Sequence, residues 1–118
     1  VVQEEILTQG GVYLAKLDPA KAAEVGKIRP VIILNAQIFL NIIPPTVFIC
    51  PLSSQSKPEF NSLHVELIPR DNLQVISYAL VEHCRSISIR RILYPRLAQL
   101  TITEVSIIAH RLQKLIGL

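Results

Sequence analysis

The chain has 118 residues, enough to bury one core and too few for two domains. Half of the residues are apolar, only 18% are charged and the net charge is +3, a weak basic surplus that leans towards a polyanion or an acidic protein without selecting one. So few charges on so small a body imply that a second copy covers part of the apolar surface, and a homodimer is the expected state.

In chain order, Val12 to Leu17 reads as a strand that Asp18-Pro19 terminates, because proline has no amide to give a ladder. A long loop follows to Ile28. Pro30 to Asn35 is a second strand whose apolar run is continuous rather than alternating, so both of its faces are expected to be covered. Thr46 to Cys50 is a third strand, β-branched and aromatic, and 52–61 is a polar loop of the kind that is usually mobile. His64 to Leu67 alternates like a half-exposed strand, and 77–89 supplies one or two more. The period then changes: Thr101 and Glu104 form a capping box, Ile102, Val105, Ile108, Ala109, Leu112, Leu115 and Ile116 recur at helical spacing, and Gly117 is the stop. The fold class is mostly β with one C-terminal helix, and residues 1–118 form a single domain without repeat or linker.

Several classes are excluded. Pro44, Pro45 and Pro51 interrupt every candidate run of about 18 apolar residues, so no membrane association is expected. No basic segment followed by an apolar one opens the chain, as a secretory signal would require. Cys50 and Cys84 lie in apolar contexts without a partner at metal-ligand spacing, which suggests buried reduced thiols and a cytoplasmic location. No Asp/Glu/His cluster suggests a metal site, and no cofactor is expected. His64 and His110 read as surface histidines.

The candidate chemistry begins at Glu24-Val25-Gly26-Lys27-Ile28-Arg29-Pro30, a polar loop that delivers an arginine to the mouth of an apolar strand. A fork-shaped permanent cation at such a junction is placed to grip a phosphate; the competing role is an ion pair with Glu24. With Leu17-Asp18-Pro19 upstream and Pro51-Leu52-Ser53-Ser54-Gln55-Ser56-Lys57 downstream, the loop completes a recognisable order. It is a Gly before an apolar strand, Asp-Pro, Glu-x-x-x-x-Arg-Pro, a second apolar strand and a hydroxyl-rich loop. Glu82-His83-Cys84-Arg85-Ser86-Ile87 then parallels an Asp-Gln-x-Arg-Thr-Ile segment. From about Gly10 to the C-terminus the chain resembles the MazF/PemK (Kid) family of toxin endoribonucleases.

That resemblance implies an SH3-like barrel of the CcdB/MazF/PemK type. It also implies a metal-independent nuclease that uses the 2′-hydroxyl of single-stranded RNA as nucleophile and is neutralised by a cognate antitoxin with an acidic, partly disordered tail. It assigns phosphate binding and charge stabilisation to Arg29. Ser53 stands where the MazF branch carries a catalytic threonine, with Ser54 as the adjacent alternative. Glu82 stands where the Kid branch carries an aspartate as general base. The arginine acting as acid in that branch is replaced by Leu80, and its glutamine by His83, a residue type that changes charge near neutral pH. If Glu82 and His83 lie on a strand, only one of them faces substrate; a Glu82–Arg85 ion pair is the structural alternative. Lys27, Ser54, Lys57, His83, Arg85 and Arg90, with Arg91, form the expected RNA-binding surface. Phe60, Tyr78 and Tyr94 are the aromatics outside the strand cores that could stack on bases. A non-catalytic binder of the same fold is the alternative: either a degenerate RNA-binding member or a CcdB-type gyrase poison. The second would carry a Trp-Gly-Ile terminus, whereas this chain ends Ile116-Gly117-Leu118 and has no tryptophan.

Overall fold

The computed structural model describes residues 5–18, 23 and 26–118. Its strands are β1 Gly11–Lys16, β2 Ile28–Ile33, β3 Thr46–Ser53, β4 Val65–Leu67, β5 Ser77–Ala79, β6 Arg85–Ser88 and β7 Ile92–Gln99. A four-residue helix, α1 Gln37–Leu40, follows β2, and the C-terminal helix is α2 Ile102–Leu115. The strands form one antiparallel sheet in the order β4-β5-β3-β2-β1-β7, with β6 also beside β3. Mostly β with one C-terminal helix is the architecture the sequence predicts. Pro19 and Glu24, invoked above for strand termination and an ion pair, lie outside the described residues.

β3 is the pivot. Its first half pairs with β6, from Thr46↔Ser88 to Ile49↔Arg85, and its last two residues pair with β5, Leu52↔Ala79 and Ser53↔Tyr78. A strand that changes partners midway curls its sheet. Side chains alternate between faces along each strand, and both faces are buried. Val12, Ile32, Cys50 and Leu52 join a cluster closed by Val105 and Ile108 of α2. Tyr13, Ala15, Val31, Ile33, Val47 and Ile49 join another with Leu40 of α1 and Ile87 of β6. The continuous run Val31-Ile32-Ile33 therefore serves two cores, which is why it does not alternate. Burying each such side chain contributes roughly 1.5–3 kcal/mol.

Three departures from the sequence reading have physical causes. β7 was not anticipated, because Tyr94-Pro95-Arg96 interrupts its pattern; it runs along the sheet edge, where a proline leaves no ladder bond unmade, and those three residues are exposed. β3 extends to Ser53 instead of ending at Cys50, so the polar loop starts later. Residues Val81–His83 form a 3₁₀ turn rather than strand.

The capping box forms as read: Glu104 N donates to Thr101 Oγ1 at 3.2 Å, and Thr101 N donates to Glu104 Oε1 at 2.9 Å. Gly10, with φ +79°, lies so close to α2 that a Cβ there would sit 2.9 Å from Val105 Cγ2, so glycine is required on both counts. The Glu104 carboxylate also accepts both arms of Arg70, Nη1 on Oε1 and Nη2 on Oε2 at 2.6 Å, tying the loop after β4 to the helix start. Those bonds, with the Thr101 amide, hold the Glu104 carboxyl down at about 2. Because the folded value is depressed, the stabilisation is complete above the ordinary carboxylate range and fades as pH falls from there towards 2. Glu104→Gln is expected to cost about 1–2 kcal/mol at neutral pH, discounted for a partly solvated pair. A melting-temperature gap to the parent that fails to narrow on acidification would contradict this.

Among the described residues, no helix is long and apolar enough to cross a membrane. Both cysteines are free thiols. Cys50 is buried, whereas Cys84 is half-buried where the 3₁₀ turn meets β6; the register that pairs Ile49 with Arg85 continues to place Cys50 opposite Cys84. A hydrogen bond with Cys84, and then burial, push the Cys50 thiol well above its ordinary range.

Candidate functional site

Strand register assembles the site. β2 pairs with β3 as Val31↔Pro51 and Ile32↔Cys50, and continuing that register sets Arg29 opposite Ser53. On the far side of β3, Ser53 pairs with Tyr78, while Val65 of β4 pairs with Ala79. Carried on, the β4–β5 register sets His64 beside Leu80, two residues before Glu82. Residues distant in sequence thus gather at one end of the sheet, where β2, β3 and β5 run out.

The loop before β2 is held from several points. Lys27 N donates to Asp18 Oδ1 at 2.6 Å, and Leu17 N donates to Lys27 O at 2.8 Å. Lys27 adopts φ 65°, a left-handed turn that a non-glycine residue takes only when neighbours hold it there. Arg29 folds back so that Nε donates to Gly26 O at 3.1 Å. Among the described residues this is the only hydrogen bond of its side chain, and neither terminal nitrogen donates to any of them. Ser53 Oγ accepts from Gln55 N at 3.1 Å, which leaves the hydroxyl hydrogen to donate elsewhere.

Two adjoining cavities meet here. One, of about 490 Å³, is walled by Arg29, Ser53, Lys57, Phe60, His64, Leu80, Glu82 and His83. The other, of about 460 Å³, is more apolar, with Lys27, Pro30, Leu52, Ser54, Leu73 and Val75 in its wall. Each falls within the roughly 300–1,000 Å³ of small-ligand sites. Arg29, Ser53 and Gln55 belong to both, so they form the shared wall. Ser54 lines only the second, which favours Ser53 as the hydroxyl at the junction.

Of the residues singled out from the sequence, Lys27, Arg29, Ser53, Ser54, Lys57, Glu82 and His83 therefore converge. Arg85 and Arg90 line neither cavity: Arg85 sits half-buried in β6 with Nη1 unpartnered, and Arg90 is exposed on the 3₁₀ turn after it. Arg91 donates to the carbonyls of Lys16 and Asp18 at 3.1 and 2.9 Å, a structural clamp on the end of β1. Tyr78 and Tyr94 are strand residues of β5 and β7, so only Phe60 among the candidate aromatics faces the cleft.

Two sequence expectations are corrected. Glu82 and His83 line the same cavity, because a 3₁₀ turn does not alternate faces as a strand does. His64 is not a surface histidine: it is 7% exposed, and its Nε2 lies 2.8 Å from both carboxylate oxygens of Glu82. That contact replaces the Glu82–Arg85 pair. Its sequence signal was faint, a histidine on the polar phase of an alternating segment, in step with the exposed Glu66. Among the described residues, no group of three or more His, Cys, Asp or Glu is placed to hold a metal ion.

Comparison with known proteins gives this geometry a family. Endoribonuclease EndoA of Bacillus subtilis (strain 168) is 31% identical over 88 residues, 74% of this chain and 75% of its own. MazF from Deinococcus radiodurans has a similar structure, with TM-score 0.81 at 21% identity over 98% of this chain and 100% of that one. The MazE-MazF structure from the same organism matches with TM-score 0.75 at 22% identity, covering 98% and 99%. Mycobacterium tuberculosis toxin MazF-mt6 matches with TM-score 0.74 at 17% identity, covering 92% and 97%. At these identities the structures speak for the fold alone, and this fold is theirs. The family described as PemK-like, MazF-like toxin of type II toxin-antitoxin system matches residues 8–116, and the chain belongs to it.

Proposed function

We propose that this toxin is an endoribonuclease that cuts single-stranded RNA through the substrate's own 2′-hydroxyl. The observation that carries the reading is the shared wall: a guanidinium whose terminal nitrogens are uncommitted among the described residues and a hydroxyl free to donate, between two nucleotide-sized cavities. A phosphodiester lying on that wall would have one nucleoside on either side. Arg29 binds the non-bridging oxygens and meets the charge that develops on the phosphorane, and Ser53 donates to one of them. Glu82, across the first cavity, takes the proton from the 2′-hydroxyl as its oxygen bonds to phosphorus. The bond to the 5′-oxygen then breaks, leaving a 2′,3′-cyclic phosphate and a 5′-hydroxyl, with Arg29 the donor closest to the departing oxygen.

Phe60 is 37% exposed and stacks on His64 with ring centroids 5.3 Å apart, a platform on which a base could continue the stack. Lys27, Lys57 and His83 bind flanking phosphates, and Arg85 and Arg90 contribute only through the wider field. A base must leave its duplex to enter either cavity, hence the preference for single strands. The test is incubation of purified protein with matched single- and double-stranded RNA in excess chelator. Fragments from the single strand only are expected; intact RNA in both lanes, or cutting only after magnesium is restored, overturns the reading.

The proposed protein partner is a cognate antitoxin with an acidic, partly disordered segment that occupies the same cleft, as an acidic chain would mimic the RNA backbone. A cytoplasmic location follows from such a substrate and partner. The proposed assembly is a homodimer, supported by the exposed Ile38, Phe39, Ile42 and Ile43 on and after α1. A monomer mass at micromolar concentration would remove that proposal.

A further inference from the structure

His64 presents a chemical puzzle that the family resemblance leaves untouched. Its side chain is almost wholly buried, yet none of the described residues partners Nδ1: that atom is enclosed and without a hydrogen bond from them. A buried polar atom left unpaired costs about 1–3 kcal/mol, and an apolar residue of similar size would avoid the cost. The polar contact the ring does make runs from Nε2 to both oxygens of Glu82 at 2.8 Å. With the carboxylate ionised, Nε2 must carry the hydrogen, and a donor centred between the two oxygens fixes the rotation of the carboxylate as well as its position.

The residue is itself held through its ring and its main chain. Phe60 stacks on it with planes 25° apart. Its backbone amide donates to Phe60 O at 2.8 Å, and its carbonyl accepts from Arg111 Nη1, also at 2.8 Å; the same nitrogen donates to Asn61 O at 3.2 Å. Arg111 belongs to α2, whose Val105 and Ile108 are embedded in the core. A chain of contacts therefore runs from the rigid helix through the His64 backbone and imidazole to Glu82, on the rim of the cavity that Arg29 and Ser53 share.

We infer that His64 is the positioning residue of the site, holding the Glu82 carboxylate in the orientation that accepts the 2′-hydroxyl proton. Within the proposed nuclease reading, on which this inference rests, Glu82 touches substrate and His64 acts through it. Glu82 lies on a three-residue 3₁₀ turn and is partly solvated, so without His64 it would sample several rotamers, few of them aligned for proton transfer. The orphaned Nδ1 is then a stability cost tolerated for alignment.

The experiment is a double-mutant cycle with single-turnover cleavage of a short single-stranded RNA. His64→Leu should lower kcat by tenfold or more with KM nearly unchanged, while the melting temperature stays close to the parent because an unpaired buried nitrogen has gone. His64→Gln, which can place an amide N–H near the position of Nε2, should recover most of that loss; if His64→Leu fails to fold, His64→Gln carries the comparison. Glu82→Gln should be slower than either, and adding His64→Leu to it should cost nothing further, since there is no base left to orient. Effects that multiply instead of merging, a His64→Leu enzyme as fast as the parent, or a loss confined to KM would each overturn the inference while leaving the nuclease reading standing. A parent protein that cuts no RNA overturns both.

Discussion

Arg29→Ala is expected to yield a folded protein that cuts RNA at least on the order of 10²-fold more slowly and no longer arrests growth. The fold should survive because the only hydrogen bond that the Arg29 side chain makes among the described residues is its Nε to Gly26 O; β2 is held by its ladder bonds and by Val31, Ile32 and Ile33 in two cores. The chemistry should not survive. Removing a preorganised donor to a developing oxyanion costs about 2.7–4 kcal/mol, and Arg29 would provide two such donors together with a full charge. Arg29→Lys should restore only part, since a point charge cannot match the bidentate fork. A variant that cuts at the parent rate with unchanged KM would show that the shared wall is not where the phosphate reacts.

The substrate offers a second test with an equally large effect. Replacing the 2′-hydroxyl at the scissile nucleotide by hydrogen should abolish cleavage there while binding changes little, because in the proposed mode the affinity would come from Lys27, Lys57, Arg29 and the stacking surface of Phe60. No side chain in the cleft substitutes for the missing nucleophile without a new covalent step. Among the described residues Ser53 is the only hydroxyl on the shared wall, and its oxygen already accepts from Gln55 N. Deoxy substitution one nucleotide to either side should leave the rate within a few-fold. Cleavage that persists at the modified position would assign the nucleophile to water or protein.

How much of this could be read from the sequence depends on how far apart the cooperating residues lie. Arg29 and Pro30 announce themselves locally, as a cation at the start of an apolar strand. The capping box at Thr101 and the helical spacing beyond it are local as well, and both form as read. Ser53 could be placed near Arg29 only through the family pattern, since the β2–β3 register that opposes them is a tertiary fact. His64 was out of reach: its partner is 18 residues away, and the two meet only because β4 pairs with β5 and the chain then tightens into a 3₁₀ turn. The same turn defeats the expectation that Glu82 and His83 face apart. β7 lies in a stretch to which the sequence reading assigns no element, since Tyr94-Pro95-Arg96 breaks an alternating pattern, and a strand tolerates that proline because it lies at the sheet edge. Arg85 and Arg90 were placed on the RNA surface by charge alone, and charge does not say which end of a strand a residue occupies.

The central claim is that RNA is cut by its own hydroxyl, with Arg29, Ser53 and Glu82 acting on one phosphate. The most direct measurement is the chemistry of the product ends after cleavage in excess chelator. The upstream fragment should end in a 2′,3′-cyclic phosphate, and the downstream fragment should begin with a 5′-hydroxyl that polynucleotide kinase labels without prior phosphatase treatment. A downstream fragment that begins with a 5′-phosphate, or an upstream one that ends in a free 3′-hydroxyl, would contradict the account.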